Sequence, residues 1–449
     1  MKIAIVDDGI NDFILNLSDK VTKLMVTSEG AVVSDTTKYE KMTHGTICCG
    51  IIDKYAKDAT YVSIKILDLI SKRGDVEGLY VALKWCLRNN IKLINLSLGT
   101  LHKGVSKINE IITLLAQNSS YIVAACNNEG LCSFPSSLFW VLSVANTNKV
   151  SNGEFFMNKC YDDFEKIKAN GKQSFVTREG KRFVSNGSNS FAAPVVTACV
   201  YNILNKNNKL TWKQLLHCLE NNSTNKDKMV YMFNFNSVKW IYMSSTRNMH
   251  RVCGEKILDK GRNSMVNIAL TKESDISKLE DVKKCADKIG AISYLGTLSP
   301  QNINKLRSDF DSLLWDEKIY LRLLKEKTQN VGSCETPILG VRNNIPHKDF
   351  LLQKLMLELK RKGYNFLIIS EEKYAYTKGE VYLPKEVGIA QIAQLYYKNY
   401  MYDGVIYLQD SIYDCEEVDY YVDVENRKII SDDTDLFCKR IINDFELLF

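Results

Sequence analysis

Three polar residues, each at the edge of an apolar segment, carry the chemistry open to this chain. Asp7 closes the run KIAIV, His44 stands in THGTICCGII, and Ser190 lies in SNSFAAPVVTA, residues 188–198. A serine hydroxyl is a poor nucleophile until a base takes its proton, and a histidine oriented by a carboxylate is such a base. Plainer accounts exist for each residue. Ser188 or Ser190 could simply cap a helix in which Pro194 is tolerated near the start. His44 could be a surface histidine, one of five. Asp7 could merely end a strand, leaving Asp8 as the functional carboxylate.

Whether the three meet depends on the elements between them. KIAIVDD and YVSIKILD read as short buried strands. VEGLYVALKWCLRNN has helical spacing and leads into the strand IKLINLSLG; the helix SKINEIITLLAQNS leads into YIVAACNN, and WVLSVAN is one more strand. Strands separated by helices of this length imply an α/β fold with a parallel sheet and right-handed crossovers. Reactive groups of such sheets lie beyond the carboxyl ends of the strands, where Asp7, Ser97 and Asn127 fall.

Composition sets the limits. A chain of 449 residues exceeds one ordinary core and implies two domains or three. At 45% hydrophobic and 25% charged residues it is a folded chain rather than a disordered one. The net charge of +6 comes from Lys and Arg interleaved with Asp and Glu, which argues against a dedicated nucleic-acid surface. No repeat at solenoid spacing is present. The apolar run at the amino end stops at Asp7 and Asp8, so a secretory signal is not expected, and no stretch is long enough to span a bilayer. Thirteen cysteines without a loop-closing pattern read as reduced thiols of a cytoplasmic protein. With no CxxC and no Cys/His cluster, neither a metal nor a cofactor is expected.

The order Asp, His, Ser and the residues around each resemble those of subtilisin-like serine proteases, the subtilases. Asp7-Asp8-Gly9 resembles that family's Asp-Ser/Thr-Gly, which favours Asp7 over Asp8. His44-Gly45-Thr46 is similar to its histidine segment, and Ser188-Asn189-Ser190-Phe191-Ala192-Ala193-Pro194 to its serine segment. Ser97, Leu98 and Gly99 of NLSLGT match a strand end that pairs with the substrate backbone. Ala124-Ala125-Cys126-Asn127 matches the strand that ends at the oxyanion asparagine, and FPSS before WVLSV matches a further segment. The resemblance covers about residues 1–225. It implies a subtilisin-like parallel sheet flanked by helices, a triad of Asp7, His44 and Ser190, and Asn127 with the Ser190 backbone N–H as oxyanion donors. It also implies Ser97, Leu98, Gly99, Ala125 and Cys126 as substrate-binding residues.

Three departures stand out. Ser188 replaces a flexible glycine, although Gly187 adjoins it. Cys126 replaces a glycine of the primary specificity pocket, where its side chain either narrows the pocket or points away. Asp8 adds a second carboxylate beside the first. None removes a catalytic atom. Many relatives carry a propeptide, and none is read ahead of the strand beginning at Lys2. A protease without one would be restrained by specificity, which favours one or a few substrates.

Beyond residue 225 the family motifs stop. Residues 226–249 read as a connector, within which KMVYMFNFNSVKWIYMSS reads as strand and connector, and 250–449 as a second, accessory α/β domain for substrate or partner recognition. Its strands are MVNIALT, PILGVRN, NFLIIS and YDGVIYLQD; its helices are DISKLEDVKKCADKIG and HKDFLLQKLMLELKRKGY. PILGVRNNIPHKDFLLQKL resembles a P-loop unit in outline but lacks the glycines and the Gly-Lys-Ser/Thr that hold phosphate, so ATP hydrolysis is not expected. The expectation is a cytoplasmic serine endopeptidase acting on a peptide or precursor protein, such as leader removal from a bacteriocin-type peptide. A catalytically silent binding or regulatory protein on the same fold is the alternative.

Overall fold

The computed structural model describes residues 1–71, 73–100, 106–129, 133–138, 140–157, 166–225 and 240–243, and most of 265–446 in shorter pieces. Its largest sheet has nine strands: β1 (Lys2–Asp7), β2 (Val21–Val26), β3 (Val32–Ser34), β4 (Thr60–Lys65), β5 (Leu93–Leu96), β6 (Tyr121–Ala125), β7 (Val141–Asn146), β8 (Phe155–Met157) and β9 (Ile167–Ala169). They lie in the order β3-β2-β4-β1-β5-β6-β7-β9-β8. Only β3 on β2 and β8 on β9 run antiparallel, so the expected parallel sheet is present with an antiparallel strand at each edge.

Burial explains why the central strands are continuous apolar runs. Ile3 to Asp7 of β1 and every residue of β6 are buried, as required when helices cover both faces. The helices are α1 (Asp12–Leu15), α2 (His44–Tyr55), α3 (Val76–Arg88), α4 (Ser106–Gln117), α5 (Asn189–Lys206) and α6 (Trp212–Asn222). Helix α3 buries Leu79, Ala82, Leu83 and Cys86, and α4 buries Ile108, Ile111, Ile112 and Leu115. Both sets follow the i, i+3, i+4, i+7 spacing of one apolar stripe. Helix α5 differs, being buried continuously from Phe191 to Ala198. Its small residues Ala192, Ala193 and Ala198 let it lie close against α2 and the sheet.

Downstream, two further parallel sheets appear. One joins Trp240–Met243, Met265–Leu270, Lys288–Tyr294 and Leu313–Asp316 in sequence order. The other has the order Val381–Tyr382, Phe366–Ser370, Gly404–Gln409, Ile338–Arg342, Tyr420–Tyr421. The strand expected within KMVYMFNFNSVKWIYMSS is Trp240–Met243, which pairs with Met265–Leu270. The segment DISKLEDVKKCADKIG is not one helix: Glu273–Lys278 is a 3-10 turn, and Lys288 to Gly290 open a strand. The expected start of a second domain near His250 lies outside the described residues. The strand Ile338–Arg342 and the helix Lys348–Arg361 form as the sequence indicates.

Candidate active site

Asp7 ends β1, whose neighbours are β4 and β5, and so stands at the carboxyl edge of the sheet. Its carboxylate is buried, and both oxygens lie 2.9 Å from His44 Nδ1. Oδ1 also accepts the Asp8 N–H at 2.9 Å. The contact fixes the tautomer: with a proton on Nδ1 donated to Asp7, Nε2 is left to act as base.

His44 is the first residue of α2, and three groups hold that turn. Thr43 is the N-cap, its Oγ1 accepting the Thr46 N–H at 3.0 Å. Asp8 Oδ2 accepts the His44 N–H at 3.1 Å, and Oδ1 the Gly45 N–H at 2.8 Å. The second carboxylate is therefore spent on the positive end of the helix, where negative charge is favoured, and not on the imidazole. A side chain at residue 45 would put Cβ 2.6 Å from the Gly9 carbonyl and 3.2 Å from Asp7 Cβ. Glycine there is what lets the histidine turn close on the aspartate strand.

Ser190 is the second residue of α5 and is partly exposed. Ser188 is the N-cap, yet its side chain makes no capping bond. Asn189 anchors the turn instead. Its backbone N–H donates to Asn128 Oδ1 at 3.0 Å, and its Nδ2 donates to the carbonyls of Cys126 and Asn127 at 3.1 and 2.9 Å. Its Oδ1 accepts the Asn146 N–H at 2.6 Å. One side chain thus ties the serine turn to the ends of β6 and β7.

Pro194 has a consequence four residues back. In a regular helix its N–H would bond the Ser190 carbonyl, and proline has none. Ser97 Oγ supplies a donor at 2.8 Å, and Cys48 Sγ lies 3.7 Å from the same oxygen. Ser97 Oγ in turn accepts Asn95 Nδ2 at 3.1 Å, and Asn95 Oδ1 accepts Thr197 Oγ1 at 2.8 Å. The His44 ring packs against Phe191, with centroids 5.1 Å apart. Strand end, histidine helix and serine helix thereby converge.

Asn127 follows β6 and is half-buried. Its Oδ1 accepts the Glu129 N–H at 2.7 Å, which orients the amide and leaves Nδ2 as its donor edge. A 690 Å³ cleft opens beside His44, and its lining includes Ser97, Leu98, Gly99, Arg73, Gly74 and Asp75. Ala125 and Cys126, expected beside the substrate, are buried and do not line this cleft; the Cys126 N–H bonds the Val144 carbonyl at 2.9 Å. Ser97 borders the cleft, while its hydroxyl is turned to the Ser190 carbonyl.

Burial pushes the Asp7 carboxyl up against the opposing pull of His44. For His44, burial alone would depress the imidazole, but Cys48 and Asp7 outweigh it and hold it above the ordinary histidine range. Cys48 Sγ is 4.0 Å from His44 Nδ1. Burial also pushes that thiol up, against the pull of His44. The roles of Asn189 and Cys48 escape the motif comparison, as does the use of Asp8 at the helix end. The signal for Asn189 was its position directly before the serine, and for Cys48 its place one helical turn after His44.

Among the described residues, no helix is long and apolar enough to cross a membrane. The nine described cysteines are all free thiols. Among curated proteins, the Minor extracellular protease Epr of Bacillus subtilis (strain 168) is 30% identical over 168 residues, covering 33% of this chain and 24% of the relative. Subtilisin E of the same organism is 24% identical over 234 residues, covering 50% of this chain and 60% of its own. The match thus spans less than two thirds of each of these relatives. Among solved structures, Sphericase is 20% identical, covering 49% of this chain and 82% of that one, with a TM-score of 0.41. A lanthipeptide protease is 17% identical, covering 51% and 81%, with a TM-score of 0.40. The model of the subtilase family matches residues 1–237, more than half of the chain, and the protein belongs to that family.

Proposed function

We propose that this protein is a serine endopeptidase that cleaves a specific precursor peptide through an acyl-enzyme. Ser190 attacks the scissile carbonyl, His44 takes its proton and later returns it to the leaving amine, and Asp7 stabilises the imidazolium between those steps. The Asn127 amide and the Ser190 backbone N–H receive the oxyanion. The observation that carries this reading is the bond from His44 Nδ1 to both Asp7 oxygens, in a site where the Ser190 turn is separately anchored by Asn189 and Ser97.

Selective processing, such as leader removal from a bacteriocin-type precursor, is the finer part of the proposal. It is supported by the parallel sheets that follow the family match, which give the chain a second region able to hold part of a substrate or a partner. Residues 1–225 would hold the chemistry and residues from about 250 onward the selection. The P-loop resemblance assigns no nucleotide to that region.

Labelling with a fluorophosphonate probe tests the chemistry, since only an activated serine reacts. The parent protein should label and Ser190→Ala should not. In subtilisin, a relative, loss of the serine or histidine alone costs about two million-fold in turnover. An unlabelled but folded parent would favour a silent binding protein on the same fold.

A further inference from the structure

We propose that Arg73 makes the cleft selective for a substrate bearing an acidic side chain near the cleaved bond. The inference rests on the protease reading and adds the substrate's charge.

Among the described residues, the ionisable groups lining the cleft are Asp7, His44, Arg73 and Asp75. Asp7 is paired with His44. Asp75 is the N-cap of α3, its carboxylate accepting the Gly78 N–H, so its charge is balanced by the positive end of that helix. Asp68, in the loop that leads to Arg73, accepts from the N–H groups of Ile70 and Ser71 and from the Ser71 hydroxyl. Arg73 is exposed on the cleft wall, and its guanidinium has no ion pair with any described residue. Ile66, Leu67, Val76, Leu79, Leu98 and Phe134 give the cleft apolar lining, and Ser97 and Thr100 are its uncharged polar residues.

An extended peptide in the cleft presents alternate side chains to its lining, which includes Arg73. A carboxylate that reaches Arg73 gains a charge-assisted, bidentate pairing with its guanidinium. A lysine at the same position meets a like charge instead. The net charge of +6 acts in the same sense at longer range, drawing an acidic peptide toward the chain.

The test is digestion of a peptide library of random sequence by the full-length protein, with residues flanking each cut identified by mass spectrometry. Asp and Glu should be enriched, on the order of ten-fold over Lys and Arg, at one position within about four residues of the cut. Arg73→Ala should flatten that preference, and Arg73→Glu should invert it toward Lys and Arg. Cleavage by the parent with no acidic preference overturns the inference while leaving the protease reading intact. A preference that survives in both variants also overturns it. A parent that neither cleaves nor labels with the fluorophosphonate probe defeats the protease reading, and the inference with it.

Discussion

Ser97 Oγ donates to the Ser190 carbonyl at 2.8 Å, filling the place of the N–H that Pro194 cannot provide. The β5 edge thereby holds the first turn of the serine helix at the nucleophile. Ser97→Ala leaves that carbonyl with only the weak thiol donor of Cys48. Turnover should fall by about ten-fold with KM little changed, because a small displacement of the nucleophile acts on the chemical step. Ser97→Thr, which keeps the hydroxyl, should recover most of the loss. A change confined to KM would place Ser97 with the substrate instead.

Asp8 offers a stability prediction. Asp8→Ala would leave the His44 and Gly45 N–H groups without their acceptor, and Gly45 is buried. An orphaned buried donor costs about 1–3 kcal/mol, so chemical denaturation should show a loss in that range. Asp8→Asn retains an acceptor oxygen and should lose less. Equal losses for the two variants would show that charge, not hydrogen bonding, is what the helix end requires.

The pairing of His44 with Asp7 fixes a pH dependence. The imidazole must be neutral to take the serine proton, and its pKa is held above the usual value of about 6.5. The group is raised, so the protonated, inactive form persists to higher pH than for an unperturbed histidine. kcat/KM should therefore rise with pH along an acid limb centred above about 6.5. Asp7→Asn should move that limb downward and lower turnover by about ten-thousand-fold, as loss of the orienting carboxylate does in other triads. A limb unmoved by Asp7→Asn would mean that another group sets it.

Asn127→Ala should lower kcat by about a hundred- to a thousand-fold with little effect on substrate binding, since the amide acts on charge that forms only in the transition state. The bond from Glu129 N–H to Asn127 Oδ1 keeps the donor edge available. A loss in binding alone would remove Asn127 from this role. Asn128 is occupied by the Asn189 N–H through its Oδ1.

The sequence makes Asp7, His44 and Ser190 legible because each sits at the junction of an apolar run with a polar or small-residue turn. The central strands were equally readable, being buried on both faces. β2 was not, since Val21–Val26 is half-buried without clean alternation. β8 and β9 have three residues each, too few for a pattern. Trp240–Met243 lies within KMVYMFNFNSVKWIYMSS, where nothing marks the strand's start. Motif comparison named Ser97 as substrate-binding but could not show its hydroxyl turned to Ser190. That depends on Pro194, which is far along the chain and close only in the fold. The importance of Asn189 was hidden for the same reason, its partners coming from β6 and β7.

Dividing the chain tests the proposed separation of chemistry from selection. The sheet pairing places the boundary: a cut near Ser245 would leave Trp240–Met243 behind without its partner strand, exposing an unpaired edge. A cut after Ser237 follows the family match and removes that strand with its sheet. Circular dichroism and a cooperative melt come first, because removal uncovers any apolar surface that the later sheets shield. A folded fragment of residues 1–237 should still label with the fluorophosphonate probe, since Asp7, His44, Asn127 and Ser190 all precede the cut. Its kcat/KM on short peptides should stay near that of the full chain, while cleavage of a long acidic precursor falls by at least about ten-fold, because remote contacts position a substrate for reaction. Equal cleavage of the long precursor by fragment and full chain would show that the later sheets do not select it. Adding ATP to the full chain should change neither rate; a clear stimulation would assign a nucleotide to a region whose sequence lacks the phosphate-binding glycines and lysine.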